Sequence, residues 1–269
     1  MSDLIEVRRG DAPLVIGLPH TGTDIPAELE AAFVSSWRAR KDTDWWIDEL
    51  YAFGRDLDVT LVRTRVSRSV IDCNRDPSGV SLYPGQATTG LCPAETFDGE
   101  ALYHGDPPTP AEIERRRGVY FDPYHAALAA ELRRLRERHK TVVLYDAHSI
   151  RSRIPRLFDG VLPHFNIGTD GGVTCDPALR DAVADICAAS GLDIVIDGRF
   201  RGGWTTRHYG RPCDGIHAIQ MELAMRGYLA EPDQPDEMNW PALAHPEPSV
   251  APTLRAIIHA CISFAKGHS

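Results

Sequence analysis

Residues 141–149, TVVLYDAHS, open as an aliphatic run and close on a carboxylate, an imidazole and a hydroxyl. The run does not alternate, which is the pattern of a strand covered on both faces, and such strands belong to parallel sheets flanked by helices. Asp146 and His148 stand two residues apart and so share one face of that strand. Open α/β sheets collect functional groups where strands end. This stretch therefore suggests both a fold class and a place to look for chemistry.

Working outward, LVIGL (14–18) reads as a second buried strand that runs into Pro19, His20 and Gly22. Helical patterns follow over 25–37, with Pro26 suited to the first turn, and over 44–57. Residues 59–75, VTLVRTRVSRSVIDCNR, combine β-branched residues with alternation and predict two strands or one bent strand. From 76 to 108 glycine and proline are dense and no period survives, so a long loop is expected there, of the kind that is functional or poorly ordered, with a lid as one reading. Thr109 and Glu112 have capping-box spacing and open a helix to about His139, which Pro123 should kink or divide. Beyond the central strand come a helix at 177–190, strands at 192–197 and 215–223, an acidic proline-rich surface segment at 231–252 and a closing helix at about 252–266. The alternation predicts one α/β domain spanning 1–269, with a mixed, largely parallel central sheet flanked by helices.

The 269 residues are 43% apolar and 25% charged, enough for a sizeable core. Lys and Arg number 29 against 38 Asp and Glu, and the net charge of −9 argues against nucleic acid or an anionic membrane as a partner. With no long apolar run and no signal-like N-terminus, the chain reads as cytoplasmic. Its six cysteines contain no CxxC pair and read as free, mostly buried thiols; Cys73, close to charged residues, is the one whose reactivity needs checking.

A G-x-S-x-G elbow, a P-loop, a dinucleotide-binding glycine motif and H-E-x-x-H are all missing. Ser149 adjoins His148 but points to the other face, so a serine hydrolase is poorly supported. What remains is a set of polar residues at strand ends: His20, Asn74, Arg75, Asp146, His148 and, within the last strand, Glu222. Two histidines and a carboxylate with an open position are what a catalytic zinc needs to hold a reactive water. A further carboxylate could serve as general base and an arginine could bind an anion.

PHTGTDIP, DTDWWIDELY, SRSVIDCNR, LYPGQATTGLCP, LYDAHSIRSRIPRLFDG, NIGTDGG, GRFRGGWTTRHYG and IHAIQMELA, in this order, resemble the motifs of the N-formylglutamate amidohydrolase (N-formylglutamate deformylase) family, over about residues 10–230. The resemblance implies a carboxypeptidase-like (phosphorylase/hydrolase-like) α/β fold related to aspartoacylase and succinylglutamate desuccinylase. It also implies zinc-dependent hydrolysis of N-formyl-L-glutamate to glutamate and formate, in histidine degradation. His20 and His148 then correspond to zinc ligands. The wider group takes a ligand from a glutamate three residues after the first histidine, where this chain has Thr23; Asp44 looks like the replacement, with Asp24, Asp42 and Asp48 as alternatives. Asn74 and Arg75 resemble a pair that holds a substrate carboxylate, with Arg68 a weaker candidate and a structural ion pair to Asp72 or Asp76 the plainer reading.

Glu222 corresponds to the general base. Arg207, and less so Arg201, could supply a second anion site for a dicarboxylate. Asp146 could orient His148 from behind, while Arg151 or Arg153 would hold the adjoining loop or line an anionic pocket. Zinc is the implied ion, although such a donor set accepts other divalent transition metals. The alternatives are an amidase for another N-acyl amino acid, or a protein of this fold that only binds zinc or a ligand. Neither the residues nor the resemblance indicates the oligomeric state.

Overall fold

The structure, a computed structural model, describes residues 4–82, 85, 88–245 and 247–267. Seven strands form one sheet: β1 (Ile5–Arg8), β2 (Leu14–Leu18), β3 (Thr60–Thr64), β4 (Val142–Ile150), β5 (Phe165–Gly168), β6 (Ile194–Ile196) and β7 (Ile216–Ala224). Their order is β1-β3-β2-β4-β7-β5-β6. The four central strands β3, β2, β4 and β7 run parallel; β1 is antiparallel to β3, and β5 is antiparallel to β7. The sheet is mixed and largely parallel, as its sequence pattern predicts.

The helices are α1 (Ala27–Glu30), α2 (Ile47–Leu50), α3 (Pro110–Arg116), α4 (Asp122–Arg136), α5 (Pro177–Ala189), α6 (Trp204–Tyr209) and α7 (Ala251–Gly267). Leu128, Leu132 and Leu135 of α4 pack with Val15, Val142, Leu144 and Ala218 on one face of the sheet. Residues of α5 and α7 pack with Leu14, Ile16, Val143, Tyr145 and Ile219 on the other. All nine residues of β4 are buried, because its alternate side chains enter two different cores.

On the α4 face that alternation changes character towards the strand ends. Leu144 is followed by Asp146 and His148 in β4, and Ala218 by Gln220 and Glu222 in β7. The parallel register sets Asp146 beside Gln220 and His148 beside Glu222. A polar floor is thus built into the C-terminal halves of two neighbouring strands.

Three local expectations are corrected. The 25–37 pattern yields a single turn, α1, because the chain beyond it pairs with a distant loop: Val34 N donates to Leu102 O at 2.9 Å and His104 N to Ala32 O at 3.1 Å. The 44–57 pattern gives only α2 and a 3₁₀ segment, since Asp44 N is drawn to His20 O at 3.0 Å and Trp46 adopts φ 61°. Of 59–75 only β3 is a strand; the rest turns back beneath the site. In the 109–139 segment, a π-helical stretch over 117–121 separates α3 from α4, with Pro123 in the first turn of α4. Strands β1 and β5 carry too short a pattern to be read from sequence. Of the long loop, residues 83, 84, 86 and 87 lie outside the described residues.

All six cysteines are free and all except Cys213 are buried; burial and the neighbouring Asp72 push the Cys73 thiol well above its usual range, which disfavours the reactive thiolate. No helix among the described residues is long and apolar enough to cross a membrane.

Candidate active site

The C-terminal ends of β2, β4 and β7 open into one cleft, lined among others by His20, Arg68, Asn74, Arg75, His148 and Glu222. His20 lies just past β2. Its Nδ1 is 3.1 Å from Nδ1 of His148, and Asp44 Oδ2 lies 3.1 Å from the latter and 3.7 Å from the former. Among the described residues, His20, Asp44 and His148 form the group whose donor atoms could hold a metal ion, with one atom from each lying within 4.8 Å of the others. All three are buried.

The outer nitrogens of the two imidazoles meet carboxylates. His20 Nε2 is 2.6 Å from Asp72 Oδ1, and His148 Nε2 is 3.1 Å from Asp146 Oδ2. Such partners select the ring tautomer and aim the inner nitrogen. Asp146 Oδ2 also accepts from Asn74 Nδ2 at 3.2 Å and Thr206 Oγ1 at 3.3 Å. Arg68 bridges the two remaining acids, donating from Nη1 to Asp44 Oδ1 at 3.3 Å and from Nη2 to Asp72 Oδ2 at 2.8 Å. Asp44 Oδ1 is thereby occupied and Oδ2 is turned towards the imidazoles.

Burial raises the pKa of both Asp44 and Asp72, yet their hydrogen bonds and charged neighbours win. His148 and His20 hold Asp44 below the carboxylate range, while Arg75, His20 and Arg68 hold Asp72 well below it. His148 is raised well above the imidazole range: burial opposes its charge, but Asp146 and Asp44 outweigh burial. Glu222 goes the other way from the aspartates. Burial, aided by Asp44 and Asp146 and opposed by His148 and Arg68, pushes it up to about 8.

The other carboxylates considered as ligands face elsewhere. Asp24 pairs with Arg65 at 3.1 Å, Asp48 with Arg63 at 2.7 Å, and Asp42 accepts from Phe97 N at 2.7 Å. Arg151 reaches Asp98 at 2.7 Å and Asp42 at 3.5 Å, so it ties the long loop to the exit of β4. Asp98 also meets Lys41 at 2.6 Å, and Phe97 beside it lines the cleft. Arg153 lies in a separate surface depression with Arg226 and Glu231.

Arg207 and Arg201 are not among the described residues that line the cleft; Arg207 donates to Gly202 O at 3.0 Å and pairs with Asp170 at 3.3 Å. Arg199, which sequence reasoning missed, does line the cleft. Asn74 stands in the cleft wall with both ends of its amide engaged: Oδ1 accepts from Thr205 N at 2.8 Å, and Nδ2 faces Asp146 and His148. Arg75 also lines the cleft, with Nε donating to Thr89 O at 3.1 Å and Nη2 3.6 Å from Asp72 Oδ2. The place of Asp72 behind His20 has no sequence signal beyond its presence in SRSVIDCNR.

Residues 12–229 match the sequence profile of N-formylglutamate amidohydrolase. The chain belongs to that family. Two N-formylglutamate deformylases are similar to it over 233 residues, which are 86% of this chain and 87% of each relative: that of Pseudomonas putida at 46% identity and that of Pseudomonas aeruginosa at 44%. Among solved structures, the fold of this N-formylglutamate amidohydrolase family member is similar to N-formylglutamate amidohydrolase from Ralstonia eutropha, with a TM-score of 0.78 at 23% identity and 98% of both chains covered. A protein of Agrobacterium tumefaciens has a TM-score of 0.68 at 18% identity, covering 99% of this chain and 96% of that one.

Proposed function

We propose that this chain hydrolyses N-formyl-L-glutamate to L-glutamate and formate, using a divalent cation, zinc in the first instance, held by His20, Asp44 and His148. The observation that carries the reading is the convergence of these three buried donors beside Glu222, in a chain 46% identical to an N-formylglutamate deformylase.

The donor set fits a cation on chemical grounds. Each imidazole has a carboxylate at its Nε2, and the two Nδ1 atoms stand 3.1 Å apart with Asp44 Oδ2 alongside. The carboxylates around His148 favour positive charge at this point, which a cation can supply in place of a proton, and two imidazoles with one carboxylate are ligands zinc accepts. A bound zinc supplies a Lewis acid that polarises the formyl oxygen and acidifies a water.

The chain's own groups do the rest. Glu222, next to His148 across the β4–β7 ladder, takes the proton from the attacking water at a carboxylate oxygen. It then returns that proton to the nitrogen of the departing amine as the C–N bond breaks. Its elevated pKa reflects the site without a cation; positive charge on the neighbouring donors lowers it, so that the base form prevails near neutrality. Arg75 meets the substrate α-carboxylate at the cleft wall, so that binding energy away from the reacting bond orients it. Asn74 holds Asp146 and His148 in place from behind.

Gly203 supports that last role. A Cβ there would stand 2.4–2.5 Å from three atoms of the Asn74 side chain, which cannot move without releasing Thr205 N and Asp146. Gly203→Ala is expected to lower kcat/KM by about 10- to 100-fold, the usual cost of disturbing groups behind a metal ligand. Steady-state kinetics at saturating zinc check this, and wild-type activity would contradict it.

The reading as a whole is tested by formate release from N-formyl-L-glutamate, compared with N-acetyl-L-aspartate and N-succinyl-L-glutamate under the same conditions. Formate from the first with little cleavage of the other two is the expected result. A preference for either of the others would make this an amidase of different acyl specificity.

A further inference from the structure

We infer that Arg199 is the residue by which this chain selects a substrate with an acidic side chain, through an ion pair with the distal carboxylate. The inference rests on the activity proposed above and concerns the end of the cleft remote from the scissile amide.

Three arginines line the cleft: Arg68, Arg75 and Arg199. Arg68 is buried and bridges Asp44 and Asp72, so its charge is balanced within the donor cluster. Arg75 leans on Asp72 and Thr89 and stands next to Asn74, close to His148. The α-carboxyl carbon of an N-acyl amino acid is two bonds from the amide nitrogen, whereas the terminal carboxyl carbon of glutamate is four bonds away. The arginine near the donors therefore suits the former and a more distant cation suits the latter. Arg199 lies beyond β6 and lines the cleft beside Leu157, from the loop after β4, and Phe200.

Arg199 is well supported there. It follows a pinned turn in which Asp197, at φ 49°, accepts from Thr169 N at 2.7 Å and Thr169 Oγ1 at 2.6 Å. Its Nε donates to Leu157 O at 2.9 Å, and the guanidinium lies 5.3 Å over the ring of Phe200. Phe200 in turn meets Phe158 edge to face at 6.2 Å. A planar cation seated on an aromatic platform, in a cleft that Ile150 and Phe97 also line, is a forked partner for a carboxylate that loses little rotamer freedom on binding.

The experiment compares kcat and KM for N-formyl-L-glutamate, its neutral isostere N-formyl-L-glutamine and N-formyl-L-norleucine, in wild type, Arg199→Leu and Arg199→Lys, all loaded with zinc. Arg199→Leu is expected to lower kcat/KM for formyl-glutamate by roughly 10- to 100-fold, mostly through KM, as for loss of a charged hydrogen bond. The formyl-glutamine value should change far less, so the preference for the acid collapses, and Arg199→Lys should restore part of it. Equal losses on glutamate and glutamine substrates would overturn the assignment and leave the deformylase reading intact. If wild type releases formate from none of the three, the deformylase reading itself fails and the assignment with it.

Discussion

Glu222→Gln is expected to lower kcat for formyl-glutamate hydrolysis by about 10²- to 10⁴-fold, the range over which a positioned general base contributes, while bound zinc stays stoichiometric. The amide keeps the shape of the side chain and its neighbour Gln220, whose Nε2 is 3.3 Å from Glu222 Oε2, but it cannot take a proton from water. The substitution has a second consequence, on stability. In the cation-free protein burial pushes Glu222 from 4.5 up to about 8. An acid whose pKa is raised on folding disfavours the folded state progressively as pH climbs from the unfolded pKa to the folded one. Wild type without metal should thus lose a few kcal/mol, at about 1.4 kcal/mol per pKa unit, between about pH 4.5 and 8. Glu222→Gln should not lose this. Metal analysis, single-turnover assays and thermal melts of chelated protein at pH 5 and pH 8 measure all three effects. Loss of zinc in the variant would make Glu222 a ligand instead of a base, and unimpaired turnover would remove it from the chemistry.

Chelation is expected to abolish formate release and added zinc to restore it, whereas Asp44→Asn should leave a protein that zinc rescues only at far higher concentration. Asp44 is fully buried, with Oδ2 towards both imidazoles and Oδ1 taken by Arg68. The neutral amide weakens the donor set and leaves the buried Arg68 charge with half its compensation. Breaking a buried pair in this way costs about 3–5 kcal/mol when a charge is left alone, although Asp72 still holds Arg68 at 2.8 Å and should keep the loss towards the low end. Zinc titration followed by activity, together with denaturant unfolding, separates the two effects. Wild-type zinc affinity in Asp44→Asn would exclude Asp44 as a ligand. Activity that survives exhaustive chelation would refute the metal-dependent mechanism altogether.

Much of this arrangement could be read from the chain because its signals are local. The unbroken apolar runs of β2 and β4 required a sheet covered on both faces, and the two-residue period placed Asp146 with His148. The helical pattern over 44–57 misled because backbone contacts to His20 and a left-handed Trp46 override propensity there. Over 25–37 the same happened through pairing with residues 102–104. Side-chain reach was less legible still. Three arginines within nine residues, 199–207, look alike as a string, yet among the described cleft-lining residues Arg199 is the one that appears, while Arg207 pairs with Asp170.

By itself the sequence determined the class of fold, the strands that would carry polar groups at their ends, and the identity of His20, His148 and Glu222 as the residues to examine. Each of these follows from periodicity, from charge placed against an apolar run, or from ordered motifs. Only the tertiary structure decided that Asp44 and not Asp42 or Asp48 turns towards the imidazoles, that Asp72 backs His20, and that Asn74 braces Asp146. These choices depend on loops tens of residues apart meeting beneath one sheet edge, where buried charges must find partners, and no local pattern encodes such a meeting.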